Sequence, residues 1–275
     1  MVEEKITFVD ARRREDVERM LCSLVSDWFF SRFKDFSLTQ LYGVGPIHER
    51  KNILISAPTG GTKTLTAFLG ILNYLVELSL RNELDDKIYA VYTSPLKALT
   101  NDIYVNLERP LQEIREIADK KGLKMQDIRV GLRTGDTTVA ERAKMARKTP
   151  HIFVTTPESL AIVLTTTKFV EKLRALEFIV VDEIHALANK RGTYLSLTLE
   201  RLQDFSAIAP VRIGLSATIA PIEEIAKFLV GTDRDCLIAQ VPLVKEVDIG
   251  LISPGEELLT LETGENQRRL YQILD

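Results

Sequence analysis

The chain has 275 residues, 45% of them hydrophobic and 27% charged, with a net charge of −3 at neutral pH. Such a length buries a full core as one large domain or two modest ones, and without net positive charge a nucleic-acid partner must be gripped locally. Cys22 and Cys236 form no C-x-x-C pair, the start MVEEKITFVDARRRED lacks the apolar core of a signal peptide, and no run of about 18 apolar residues occurs, which together predict no disulfide framework, no membrane and an intracellular, cytoplasmic setting.

The first 50 residues are mainly helical by pattern, and WFFSRF (28–33) reads as core packing rather than an aromatic platform for a ligand. NILISA (52–57) then starts an alternation: a helix over 64–80, a strand at 88–94, a helix over 96–119, a strand at 127–134, a helix over 140–148. It continues with a strand at 151–156, a helix over 158–165, strands at 178–183 and 211–218 separated by a helix over 194–205, a helix over 222–230 and a last strand at 236–241. From Pro242 the pattern loosens through SPGEELLTLETGENQRR and closes on the helical stretch RRLYQILD. The expected organisation is an N-terminal helical segment over 1–50, an α/β domain over 51–241 and a linker over 242–275.

Strands joined by crossover helices predict a parallel sheet with helices on both faces. Ligands of such sheets sit beyond the carboxyl ends of the strands. Six polar signatures fall there, each at or just after a strand: APTGGTKT, TSPLKALTND, RTGDT, TTPESL, DEIH and SAT.

APTGGTKT has the parts of a phosphate-binding loop: glycines Gly60 and Gly61, Lys63 for phosphate oxygens, and the Thr64 hydroxyl for Mg²⁺ at the start of a helix. A glycine-rich strand-to-helix turn is the plainer alternative. Asp182 and Glu183, carried to the end of a strand by Ile179–Val181, suit an Mg²⁺ shell and a water-positioning carboxylate; a helix cap would account for Asp182 alone. His185 has no second histidine or cysteine at ligand spacing, so a hydrogen bond toward Ser216 or Thr218 of LSAT is the stronger expectation.

Together, in this order, the six motifs resemble the first RecA-like domain of superfamily 2 helicases, a P-loop NTPase fold. HALANKRGTYLSLTLERL and GLSATIAPIEEIAKFLVG narrow the resemblance to the large helicase-related (Lhr) type, over roughly residues 25 to 255. It implies ATP and Mg²⁺ as cofactors, 3′ to 5′ translocation on single-stranded DNA, and unwinding of DNA or DNA–RNA hybrids. Carried over by motif, the nucleotide would be held by Thr59, Gly60, Gly61, Thr62, Lys63 and Thr64, and Mg²⁺ by Thr64 and Asp182. Lys63, Asp182 and Glu183 would be catalytic, with Glu183 as base. Gln40 of FSLTQ would read adenine, although Ser37 stands where threonine is usual and a surface glutamine is the alternative. Nucleic acid would cross Ser94, Pro95 and Lys97, then Thr134, Gly135 and Asp136, then Thr156 and Pro157, gripped by hydroxyls and backbone NH groups; ordinary helix caps are the alternative for any one of these. His185, Ser216 and Thr218 would couple the two.

Two departures from the family pattern follow. Thr62 replaces a loop glycine, and a β-branched residue forced into a glycine-type backbone would cost on the order of 1–3 kcal/mol, so weakened ATP binding is expected. The chain also stops where a second RecA-like domain with its arginine fingers is expected, which implies that alone it does not couple hydrolysis to unwinding. A non-hydrolysing nucleic-acid-binding module with the same fold is the alternative function.

Overall fold

The computed structural model describes residues 5–58, 62–95, 97–187, 190–231 and 233–242, with the side chains of 97–106, 168, 187, 190 and 191 outside that description. They belong to one compact unit, Met1–Pro242. Thr59, Gly60 and Gly61 and the expected linker beyond 242 lie outside the described residues, as does the side chain of Lys97.

A short strand, β1 (Ile6–Phe8), precedes three helices, α1 (Arg14–Met20), α2 (Ser23–Arg32) and α3 (Leu38–His48). The alternation then runs β2 (Ile53–Ser56), α4 (Thr62–Leu80), β3 (Ala90–Thr93), α5 (Lys97–Lys120), β4 (Val130–Arg133), α6 (Val139–Arg147) and β5 (Ile152–Thr155). It continues α7 (Pro157–Val163), α8 (Thr167–Val170), β6 (Phe178–Val181), α9 (Lys190–Phe205), β7 (Val211–Ser216), α10 (Ile222–Val230) and β8 (Cys236–Gln240). All seven strands foreseen in the sequence form. β1 does not follow from the helical pattern of the first 50 residues: its three residues are stabilised by pairing with β8 rather than by a periodicity of their own.

The eight strands make one sheet in the order β1-β8-β2-β7-β6-β3-β5-β4, every pair parallel. Alternate side chains of each strand enter different cores. Ile53 and Ile55 of β2, with Tyr92, Val180 and Leu215, join the core under α1 to α5, while Leu54, Val91, Ile179 and Val181 join the core under α7, α9 and α10. Burial on both faces explains why the strands read as near-continuous apolar runs. WFFSRF packs as expected, with Trp28 and Phe29 buried and Phe29 stacked on Phe36.

Helices α3 and α4 cross closely because glycines face the partner. A Cβ on Gly43 would lie 2.6 Å from Thr66 Cγ2, and one on Gly70 would lie 2.6 Å from Ile47 Cγ2. That approach brings the start of α3, with Gln40, beside the start of α4. Among the described residues no helix is long and apolar enough to cross a membrane.

Candidate functional site

Since the sheet is wholly parallel, the six signatures sit on one edge, and the strand order divides them into two groups. β2, β7 and β6 are neighbours and carry the glycine-rich loop, SAT and DEIH; β3, β5 and β4 are neighbours and carry the SPLK, TTPES and RTGD segments.

In the first group, Asp182 is the hub. It is buried, with 4% exposure. Its Oδ1 accepts the Glu183 backbone NH at 2.7 Å and its Oδ2 accepts the Thr64 hydroxyl at 3.2 Å. The Thr64 contact joins the start of α4 to the end of β6, two strands away from β2. Oδ2 also accepts the phenol of Tyr92, a wholly buried residue whose ring stacks on Phe68 with centroids 5.4 Å apart. Burial first, then the charge of Asp182, drives the Tyr92 phenol far above its ordinary pKa, so it remains a donor.

Lys63 turns its ammonium onto the loop's own backbone, donating to the carbonyls of Ala57 at 2.8 Å and Pro58 at 3.1 Å. Burial lowers its pKa, and the charges of Glu183 and Asp182 oppose that shift. Glu183 follows the strand with φ of +51°, a left-handed backbone rare for a side chain of its size and costing on the order of 1–3 kcal/mol. The bend is held by the Asp182 carboxylate on its NH. Glu183 Oε2 meets His185 Nε2 at 3.2 Å, and His185 Nδ1 accepts the Ala217 NH at 3.3 Å. Nδ1 being the acceptor, Nε2 carries the proton and donates to Glu183.

The expectation for His185 is thus corrected in its partner: the imidazole reaches SAT through the Ala217 backbone, not through Ser216 or Thr218. The Ser216 hydroxyl is buried without a hydrogen-bond partner, and Thr218 is exposed.

The strain expected at Thr62 is also corrected. Thr62 is the first residue of α4, and the only described non-glycine residues with positive φ are Arg50, Asn82 and Glu183. Its hydroxyl lies 3.3 Å from that of Thr39, and its carbonyl accepts the Thr66 hydroxyl at 2.7 Å. A helical threonine needs no glycine-type backbone. Gln40 is 2% exposed, not a surface residue; it closes a capping box, its side-chain carbonyl accepting the Ser37 NH at 2.7 Å.

In the second group the cap alternative is partly realised. Thr156 caps α7, accepting the Ser159 NH at 3.4 Å with Pro157 as the first helical residue. Thr134 and Asp136 belong to a self-bonded turn: the Thr134 NH donates to Thr137 Oγ1 at 2.8 Å and the Asp136 NH to Thr134 Oγ1 at 3.3 Å, while the Gly135 carbonyl accepts Arg142 at 3.4 Å. Ser94 is fully buried and its NH donates to the Thr155 carbonyl at 3.4 Å. Pro95 follows it at the same edge.

Sequence reasoning missed Tyr92. The available signal was a phenol inside the apolar run IYAVYTS, since a buried tyrosine hydroxyl requires a partner. Hard oxygens from Thr64 and Asp182 already within hydrogen-bond reach suit Mg²⁺, which keeps several waters and shares its shell with phosphates. Among the described residues no three His, Cys, Asp or Glu side chains gather as a protein-only metal cage.

The DEAD/DEAH box helicase family matches residues 38–227. The chain is 48% identical over 260 residues to the ATP-dependent helicase Lhr-Core of Methanocaldococcus jannaschii, covering 94% of this chain and 31% of that protein. It is 38% identical over 237 residues to the Lhr helicase/uracil glycosylase of Escherichia coli, covering 83% of this chain and 15% of that protein. The chain thus spans at most about a third of the length of these relatives. Among solved structures, helicase Lhr of Mycobacterium smegmatis bound to ssDNA and AMP-PNP superposes with a TM-score of 0.79 at 36% identity, covering 92% of this chain and 32% of that one. The DEAD-box helicase Mss116 shares the fold, with a TM-score of 0.72 at 19% identity over 86% of this chain and 47% of that one. This chain belongs to the DEAD/DEAH box helicase family, as a first RecA-like domain of Lhr type.

Proposed function

We propose that this chain is the ATP-binding motor domain of an ATP-dependent helicase that moves 3′ to 5′ along single-stranded DNA and unwinds DNA or DNA–RNA hybrids. Residues 1–50 pack on the motor domain proper, 51–241, and 242–275 lead toward a second RecA-like domain. The observation that carries the reading is the convergence of Thr64, beyond the end of β2, with Asp182, Glu183 and His185, beyond the end of β6, tied through Ala217 to the intervening β7.

On this reading Lys63 exchanges the Ala57 and Pro58 carbonyls for β- and γ-phosphate oxygens. Thr64 and Asp182 are the residues that would hold Mg²⁺, which would supply charge neutralisation on the phosphates. Glu183 takes the proton of the attacking water. His185 fixes the Glu183 carboxylate and senses the position of β7, which gives hydrolysis a mechanical link to the sheet. Gln40, its carbonyl engaged in the cap, reads adenine with its amide nitrogen. The glycines Gly60 and Gly61 and Thr59 complete the phosphate cradle.

The ends of β3, β5 and β4 form the nucleic-acid track: Ser94, Pro95 and Lys97, then Thr156 and Pro157, then Thr134 to Asp136. Few cations are involved, which fits an acidic chain that binds a polyanion through NH groups and hydroxyls. Translocation requires the parts of the longer relatives that this chain does not span, and arginine fingers from a second domain are worth a factor of roughly 10³ to 10⁵ in comparable NTPases. Single-turnover ATP hydrolysis tests the assignment. Glu183→Gln lowers the rate by about 10² to 10⁴ while leaving ATP affinity within about threefold; equal rates in the two proteins, with ATP bound by both, contradict it and favour the non-hydrolysing module.

A further inference from the structure

Within the nucleotide site just proposed, on which this inference rests, we propose that Tyr92 is the positioning residue for Asp182 and sets the affinity of the site for Mg²⁺. Asp182 Oδ1 is committed to the Glu183 NH. Its Oδ2 has two hydroxyl donors, Thr64 and Tyr92. A Thr64 hydroxyl that held Mg²⁺ through a lone pair would have its direction set by the ion, and so would no longer aim the carboxylate independently. Tyr92 is then the side-chain donor that keeps Oδ2 aimed, in a place where Asp182 is too buried for solvent to substitute.

The phenol is itself fixed from the loop side. Phe68, one helical turn after Thr64 on α4, stacks on the Tyr92 ring at an interplanar angle of 29°. Thus α4 holds both the hydroxyl that meets the metal and the ring that orients the acid's second donor. Tyr92 lies on β3, two residues before Ser94, so the residue that aims the metal-shell carboxylate belongs to the strand that ends in the nucleic-acid track. A partner that orients a metal-shell carboxylate typically changes metal affinity by about 10- to 100-fold when removed.

The test uses N-methylanthraniloyl-ATP fluorescence during Mg²⁺ titration of the wild-type chain, Tyr92→Phe, Asp182→Asn and the double variant. Tyr92→Phe keeps the ring and its stack and removes only the hydroxyl. The half-saturating Mg²⁺ concentration rises about 10- to 100-fold in Tyr92→Phe, while nucleotide affinity in EDTA stays within about twofold. In the Asp182→Asn background the same substitution adds less than about twofold, an outcome that a general packing defect does not produce. An unchanged Mg²⁺ dependence in Tyr92→Phe, or an equal loss of affinity with and without Mg²⁺, overturns the positioning role and leaves the nucleotide site standing. Failure of the wild-type chain to bind the fluorescent nucleotide at any Mg²⁺ concentration overturns the nucleotide reading and this inference with it.

Discussion

Replacing Thr62 by glycine restores the residue usual at this place in the family's loop, and the geometry of α4 determines what that change does. Thr62 is helical, its hydroxyl is 3.3 Å from Thr39, and its backbone is not left-handed. Glycine therefore relieves no strain. It removes one side-chain hydrogen bond, worth about 0.5–1.5 kcal/mol, and adds unfolded-state entropy at a helical position, worth about 0.5–1 kcal/mol. Together Thr62→Gly destabilises the fold by about 1–2.5 kcal/mol, a fall in Tm of roughly 2–10 °C for a domain of this size. ATP affinity, by contrast, changes by less than about threefold, which is less than about 0.7 kcal/mol. Differential scanning calorimetry and isothermal titration of Mg²⁺–ATP measure the two effects on the same protein. A tenfold or greater gain in ATP affinity in Thr62→Gly refutes the reasoning, because it shows that the threonine strains the loop in a way its helical backbone does not reveal.

Two further predictions concern stability. His151 is buried with Nδ1 accepting the Arg129 NH at 3.1 Å, and burial, reinforced by the Arg129 charge, depresses its pKa to about 4. The unfolded imidazole takes up its proton near pH 6.5, so stability is full above that pH and falls between about 6.5 and 4, by on the order of 3 kcal/mol from this group. Urea midpoints measured across that window show the slope in the wild type and a shallower one in His151→Gln; equal slopes refute it. Arg212, 1% exposed near the start of β7, donates to Glu200 at 2.9 Å, Gln203 at 2.8 Å and the Leu229 carbonyl at 3.1 Å, pinning α9 and α10 to the sheet. Glu200→Ala costs about 2–3 kcal/mol in the wild type, less than for a fully buried pair because Glu200 is 41% exposed, and under about 1 kcal/mol in Arg212→Met. Urea denaturation giving the same cost in both backgrounds contradicts the network.

The parallel sheet was legible because β2, β3, β5, β6 and β7 are buried along their length and therefore read as apolar runs, and because β2 to β7 are each followed by a polar signature. β1 was not: Ile6–Phe8 becomes a strand only by finding β8, a long-range pairing that no local pattern encodes. At the site, Lys63, Thr64, Asp182 and Glu183 could be singled out from motif spacing, since the chemistry needs those side chains at strand ends. The partner of His185 could not, because Ala217 contributes a backbone NH that has no signature in residue type. Thr62 was misread because a glycine in a family pattern suggests a glycine-type backbone, whereas here the residue already stands inside the helix. Tyr92 was passed over as one more apolar strand residue; its hydroxyl acquires meaning only when β3 is placed beside β6.

The central claim is that the carboxyl edge of β2, β7 and β6 binds Mg²⁺–nucleotide through Lys63. Isothermal titration of AMP-PNP with Mg²⁺ into the wild-type chain and Lys63→Ala measures it directly. The account predicts one saturable, Mg²⁺-dependent site in the wild type and a loss of at least about thirtyfold, or about 2 kcal/mol, in the variant, as expected for removing a charge-assisted hydrogen bond to phosphate. Equal affinity in the two proteins contradicts it.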